Sequence, residues 1–327
     1  MSGVLVTGAN GLVGRALCRT LAGAGHDVTA LVRQSSADLA DGVREWRHAT
    51  ADFAGLDEAW PQGYVPDCVV HLAARVHVMH DEAPDPLAAF MATNVEGTLR
   101  VARAARAKGA RRMVYVSSIK AVAETDGGVP LAESTPSQPL DPYGRSKRAA
   151  EEALWRFGEE PGMEIVVVRP PLVYGPGVGA NFLQMMSAVS RGIPLPLGLV
   201  DARRSLVYTD NLADALMHCA IDPRAANTCF HVTDGDDPSV AQLLRALGRH
   251  LSKPARLLPV PPRLLRAAGA LVGRAAQIER LTTSLQVDAS RIRAQLGWYP
   301  PVSLDAGLAE TARWFRATHR SRGDRTP

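Results

Sequence analysis

A glycine-rich turn, Gly8-Ala9-Asn10-Gly11-Leu12-Val13-Gly14, follows the apolar run Val4-Leu5-Val6 and opens a 3.6-period apolar pattern over residues 11–24. Strand, Gly-x-x-Gly-x-x-Gly turn and helix, in that order, constrain this chain more than any other stretch of it. Glycine permits the tight reversal and leaves no β-carbon between backbone and ligand. A pyrophosphate can then rest on the N–H groups that open the helix. The bland reading is a glycine turn that binds nothing, and the strand-to-helix context argues against it.

The same alternation continues downstream. Residues 27–32 read as a second strand, Trp46 lies in a weaker third, and 68–71 form a fourth that ends in the small residues Ala73 and Ala74. A helix is expected over 86–108, stopped by Gly109, then a strand over 112–117. A Gly-, Pro- and Ser-rich loop covers 127–142, Pro142 starts a further helix, and 165–168 is a sixth strand. Strands alternating with helices predict an α/β fold, a Rossmann-type doubly wound parallel sheet. After Arg169-Pro170-Pro171 the alternation fails and prolines multiply. The expected organisation is a dinucleotide-binding domain over 1–175, to which roughly 205–222 may be added, and a smaller mixed C-terminal substrate-binding domain over 176–327. Residues 320–327 read as a frayed tail.

Composition excludes more than it assigns. Hydrophobic residues make up 46% and charged ones 21%, ordinary for a globular chain that buries a core. The net charge of +4 owes about half to the tail from Arg320, so it is no argument for nucleic acid. Cys18, Cys68, Cys219 and Cys229 show neither CxxC nor metal-ligand spacing, and free buried thiols fit a reducing cytoplasm. A strand starting at Val4 implies no leader, and no apolar run of about 18 residues suggests a membrane span. His77 and His80 lack a third ligand, so no metal is expected. Glu124 and Glu133 read as ordinary loop carboxylates. The basic, apolar run 263–274 resembles a membrane-surface helix, but the expectation is a small-domain helix whose apolar residues face a core.

Tyr143 and Lys147 stand at i and i+4, on one face of the helix that Pro142 begins. A free tyrosine titrates near 10; a neighbouring ammonium and a positively charged oxidised nicotinamide both favour the phenolate and are expected to lower that value. Ser118 upstream can bond the same substrate oxygen. Together these groups suit proton delivery to a carbonyl oxygen as hydride reaches its carbon. Tyr-x-x-x-Lys alone is a common helical coincidence, but beside the glycine turn it is a redox motif. The second strand ends in Arg33-Gln34-Ser35-Ser36 and not in the acid that favours NAD. Arg33 offers a guanidinium to a 2′-phosphate, with the serines as added donors. NADP(H) is the expected cofactor and NAD the alternative; a merely solvated Arg33, or one stacked on adenine, is the competing reading.

These motifs, with His71-Leu72-Ala73-Ala74, Asn94-Val95-Glu96-Gly97-Thr98, Arg169-Pro170-Pro171-Leu172-Val173-Tyr174-Gly175-Pro176 and Leu296-Gly297-Trp298, make the chain resemble the extended short-chain dehydrogenase/reductases of the nucleotide-sugar epimerase/dehydratase group. The resemblance covers nearly the whole length. It implies NAD(P), hydride chemistry at a sugar carbon, usually C4, and Ser118, Tyr143 and Lys147 as catalytic residues. It also implies that Asp52 and Phe53 touch adenine, that Ala73, Ala74 and Pro170 lie against the cofactor, and that Asn94 supports the site. Asn181, Arg204 and, less regularly spaced, Arg280 take the places of diphosphate ligands. A homodimer through the two long helices of the first domain is a further implication.

Arg75-Val76-His77-Val78-Met79, Ser118-Ile119-Lys120 and Arg203-Arg204-Ser205-Leu206-Val207-Tyr208 resemble a subgroup linked to bacterial surface polysaccharides, which includes reductases of UDP-4-keto-6-deoxy sugars. Ile119 and Lys120 replace the acid/base pair that a dehydratase needs. Arg33 tips the expectation to a reductase that exchanges NADPH. The alternatives are a UDP-hexose 4-epimerase with tightly held NAD, a non-sugar carbonyl reductase, and a non-catalytic dinucleotide-binding scaffold or sensor.

Overall fold

Val4, Leu5 and Val6 lie wholly buried in β1 (Gly3–Thr7), the middle of a seven-stranded sheet. The computed structural model describes residues 2–35, 38–76 and 85–323. Side chains alternate across a strand, so Val4 and Val6 face one layer and Leu5 the other. A run apolar on both faces is what a parallel sheet covered by helices requires.

Along the chain β1 leads to α1 (Leu12–Gly23), β2 (Asp27–Val32), β3 (Arg44–Arg47), β4 (Cys68–His71), α2 (Pro86–Met91), α3 (Gly97–Ala107), β5 (Arg112–Val116), α4 (Pro142–Glu159) and β6 (Glu164–Arg169). Then come β7 (Leu172–Tyr174), α5 (Ala180–Ser190), β8 (Leu206–Tyr208), α6 (Thr209–Ile221), β9 (Thr228–His231), α7 (Val240–His250), α8 (Pro262–Leu271), α9 (Ala275–Thr282), α10 (Ser290–Leu296) and α11 (Leu304–Gly323). The sheet order is β3-β2-β1-β4-β5-β6-β9, every pair parallel. Leu17 and Leu21 of α1 pack with Leu212 and Leu216 of α6 on one face; Val101 of α3 and Leu154 of α4 cover the other. A third core, with Phe182, Met186, Leu244, Leu247 and Phe315, unites α5, α7 and α11. Among the described residues no helix is long and apolar enough to cross a membrane.

Three features differ from the sequence-based expectation. The helix over 86–108 is interrupted at Ala92–Glu96 by a π-helical turn, which carries the buried Asn94. The chain returns to the sheet of the first domain further than the 205–222 stretch allowed for, because β9 joins it after α6. β9 pairs with β6, Val166 opposite Thr228, and α6 is fastened by the buried Arg112, whose Nη1 donates to the carbonyls of Cys219, Ala220 and Asp222 at 3.0, 3.2 and 2.7 Å. A basic side chain on the last carbonyls of a helix satisfies groups that have no partner within it. Finally, α11 runs to Gly323, past the expected start of the tail at Arg320.

Candidate active site

The strand order reverses between β1 and β4, so the loops that follow them diverge and leave a crevice at the carboxyl ends of the strands. A cleft of about 1020 Å³ opens there. Gly8, Asn10, Gly11, Leu12, Val13 and Gly14 form one wall; Arg33 and Phe53 stand at one end, Ala73 and Ala74 at the floor. Ser118, Tyr143, Lys147 and Pro170 line the other side.

The turn is built for close approach. Gly8 has φ +68°, and a β-carbon on it would lie 2.7 Å from Ala73 N. One on Gly14 would fall 2.3 Å from Gly8 O and 2.6 Å from Ala9 Cα. No side chain caps α1, whose N-cap is Gly11, so its first N–H groups are open to a ligand. Asn10 Nδ2 donates to Gln34 O at 2.8 Å, while its buried Oδ1 has no partner. Open helix N–H groups and a cradle that a β-carbon would fill fit a dinucleotide pyrophosphate, and the orphaned amide oxygen, an acceptor, fits a ribose hydroxyl of the same ligand.

Asp141 begins α4: its Oδ1 accepts from Gly144 N at 2.6 Å, and Pro142 takes the first helical position. That helix places Tyr143 at the cleft with its ring edge-on to Phe90, centroids 6.1 Å apart. Ser118 stands on the same wall of the cleft, close enough to the phenol to favour its charged form. Lys147, one turn on, is buried; its Nζ donates to Val116 O at 2.8 Å and stands 5.9 Å from the Tyr143 ring centroid.

The expected lowering of the Tyr143 pKa does not occur in this geometry. Burial, reinforced by the Asp141 carboxylate and only partly opposed by Ser118, pushes the phenol up to about 12. Burial draws Lys147 down to about 7, against the pull of Glu151. Desolvation disfavours both charged forms and is the largest cause of each shift.

Behind these groups lies a polar layer that sequence motifs did not single out. Glu151, wholly buried, accepts from Ser117 Oγ at 2.5 Å and from Arg169 Nε and Nη2 at 2.9 and 2.6 Å. With Ser117 so engaged, Ser118 is the serine turned to the phenol. The one available signal was that Glu151 follows Lys147 by four residues on the same face. On the other side Thr7 Oγ1 meets His71 Nδ1 at 2.8 Å, His71 Nε2 meets Thr98 Oγ1 at 3.1 Å, and Thr98 donates to Asn94 O at 2.7 Å. Burial drives His71 down to about 3, hence neutral.

Several candidates lie off the cleft. Asp52 turns to Arg100, 2.6 Å away, and caps Ala54 N at 3.3 Å. Its neighbour Phe53, held at φ 57°, supplies the aromatic face and stacks on His48. Asn94 is buried behind the floor and does not line it. Asn181 is exposed on the first turn of α5, away from the cleft lining. Arg204 and Arg280 do meet: the Arg204 guanidinium donates to the Arg280 carbonyl, and Arg280 Nε lies 3.6 Å from Glu124. Glu124, far from being a free loop acid, also faces Lys120 at 3.7 Å, and Glu133 accepts from His231 N at 2.9 Å. Ser36, His77, Val78, Met79 and His80 lie outside the described residues.

A glycine cradle at the crossover crevice, facing a Ser-Tyr-Lys wall, defines a dinucleotide-dependent enzyme of the extended short-chain dehydrogenase/reductase class. The NAD dependent epimerase/dehydratase family model matches residues 4–231, and the chain belongs to that family. It is 39% identical to a UDP-glucose 4-epimerase of Vibrio cholerae over 95% of both chains. Among solved structures it resembles a Thermotoga maritima UDP-glucose 4-epimerase with UDP-glucose, at 24% identity and TM-score 0.79 over 97% of this chain and 99% of that one. MoeE5 in complex with UDP-glucose and NAD is 25% identical, with TM-score 0.75 over 97% and 99%.

Proposed function

We propose that the chain is an NAD(P)(H)-dependent oxidoreductase of a nucleotide-linked sugar, reducing a UDP-4-keto-6-deoxy-hexose at C4. The observation that carries this reading is the Tyr143 phenol, beside Ser118 and backed by Lys147, on the wall of a cleft that begins at the glycine cradle. The bound nicotinamide supplies the hydride to C4. Tyr143 gives its hydroxyl proton to the carbonyl oxygen, so ketone becomes alcohol, and Ser118 orients that oxygen. A phenol held well above neutrality keeps its proton until the developing alkoxide takes it. Lys147 steadies the phenolate left behind. Arg204 and Arg280 are proposed for the diphosphate, with Asn181 beside them, and α3 and α4 for a homodimer contact.

Arg33, exposed at the end of β2 and lining the cleft, supports NADP(H) as the exchanged cofactor. A second reading, C4 epimerisation with retained NAD, is supported by the identity to the Vibrio cholerae epimerase. Heat release and mass spectrometry identify any dinucleotide that copurifies. NADPH oxidation with UDP-4-keto-6-deoxy sugars is then compared with C4 inversion of UDP-glucose and UDP-N-acetylglucosamine. Retained NAD with inversion overturns the reductase; turnover of neither substrate class overturns sugar chemistry.

A further inference from the structure

The hairpin of α8 and α9 packs thinly on the rest of the protein. α8 buries only Leu265 and Gly269, and α9 buries nothing. Its two helices hold each other: Arg266 pairs with Glu279 at 3.0 Å and donates to Thr282 Oγ1 at 3.1 Å. The apolar face expected to meet a core is divided. Leu265 joins the third core, but Leu264, Leu271 and Val272 remain 61%, 88% and 68% exposed. Single exposed leucines are unremarkable. These three are not scattered: Leu264, Ala268, Leu271 and Val272 fall at i, i+4, i+7 and i+8, one stripe that ends where α8 turns into α9.

Charge on the same stretch has one sign. Residues 238–278 hold seven lysines and arginines and no aspartate or glutamate, in a chain whose totals are 37 and 33. Arg249 faces Asp305 and Arg266 faces Glu279. Lys253, Arg256, Arg263 and Arg274 are exposed and make no ion pair among the described residues. Exposed aliphatic residues at the end of α8, with Arg263 and Arg274 exposed on the same hairpin and Lys253 and Arg256 exposed in the segment before it, suit a fluid anionic surface better than a matching protein pocket. The stretch has no aromatic residue on which a nucleic-acid base might stack.

We propose that this hairpin docks on an anionic lipid bilayer. Leu271 and Val272 enter the boundary between headgroups and acyl chains, while Arg263 and Arg274, with Lys253 and Arg256, meet lipid phosphates. The contact is shallow and reversible, since one short helix face supplies it. It stands on the hairpin alone and is independent of the chemistry proposed for the cleft.

Flotation of the full chain with vesicles of phosphatidylcholine and phosphatidylglycerol tests it, with pure phosphatidylcholine as control. Binding is expected on the anionic vesicles alone, and to fade at high salt as the charges are screened. R263Q/R274Q should weaken it about 25-fold, roughly fivefold per cation. L271Q/V272Q, with charge unchanged, should weaken it about tenfold. All four positions are exposed, so melting temperature and dinucleotide affinity serve as folding controls and should not move. Absence of anionic-vesicle binding at low salt overturns the proposal. So does full binding by L271Q/V272Q, which would mark a nonspecific polyanion contact.

Discussion

Asn94 brackets the backbone of Arg75: its Oδ1 accepts from the Arg75 N–H at 2.7 Å and its Nδ2 donates to the Arg75 carbonyl at 3.1 Å. The same Nδ2 donates to Ser146 Oγ at 2.9 Å, and Ser146 in turn donates to Tyr143 O at 2.8 Å. One amide thus registers the floor of the cleft against the helix that carries the phenol. Asn94→Ala is expected to cost about 1–3 kcal/mol through the partners it strands. Urea unfolding should show a lower midpoint, and dinucleotide titration a weaker affinity. An unchanged midpoint and affinity would mean that the floor is held by something else.

Tyr143→Phe keeps the ring edge against Phe90 and removes only the hydroxyl. Turnover should fall about 10²-fold or more, with dinucleotide affinity nearly unaltered. Steady-state kinetics and a binding titration on the same preparation separate the two. A variant that still turns over at the parental rate would dismiss this phenol as the proton donor.

Gly14→Ala puts a methyl into backbone atoms, Gly8 O and Ala9 Cα, that cannot yield as a flexible side chain does. The cradle must open, and dinucleotide affinity should fall by about tenfold, ~1.4 kcal/mol, or more. Calorimetric titration measures this. Parental affinity would argue that the ligand does not rest on this turn.

Acid should destabilise the protein before its carboxylates protonate. Burial lowers His71 to about 3 and His231 to about 4, from an ordinary 6.5. Between those values and 6.5 the unfolded chain binds protons that the folded one refuses. Stability therefore rises with pH across that window and is lost as pH falls, by about 1.4 kcal/mol per pH unit per histidine. Lys147, lowered to about 7, adds a second rise between 7 and 10.5 for the same reason. Urea midpoints against pH check both, and His231→Gln should flatten the acid limb. A midpoint level from pH 4 to 6.5 contradicts the burial described for these rings.

Arg33→Ala should weaken NADP(H) binding at least about tenfold, as expected for losing a charge-assisted contact of ~1.5–3 kcal/mol, and leave NAD(H) affinity unaltered. Fluorescence titration with both reduced cofactors gives the ratio. Equal affinities before and after the change would reduce Arg33 to a solvated surface charge.

The frame and the glycine cradle were legible because their signals are local. Val4-Leu5-Val6, 68–71 and 112–117 are apolar runs long enough to be strands, and Gly8 and Gly14 stand where a turn demands them. β7, β8 and β9 were missed because three or four residues carry no measurable period, and prolines crowd the first of them. The spacing of Tyr143 and Lys147 placed both on one helix face, yet it could not weigh their desolvation, which in the protein alone raises the phenol and lowers the ammonium. Glu151 and Arg169 stand 18 residues apart, and only the seating of β6 beside α4 brings them together. The π turn at Asn94 was equally silent, since it arises from what that side chain holds and not from any helix-breaking residue.

Because β9 zips onto β6, the chain that departs after Arg169 comes home to the strand it left and becomes the new edge of the sheet. The stretch between them is tethered at both ends to one rigid frame, like a cassette between fixed clips. Outside α6, which packs on the sheet, its residues can vary without shifting the registration of the strands beneath Tyr143. Chimeras joined at both anchoring strands, and not at the first alone, are the ones that should exchange selectivity while keeping the hydride machinery whole.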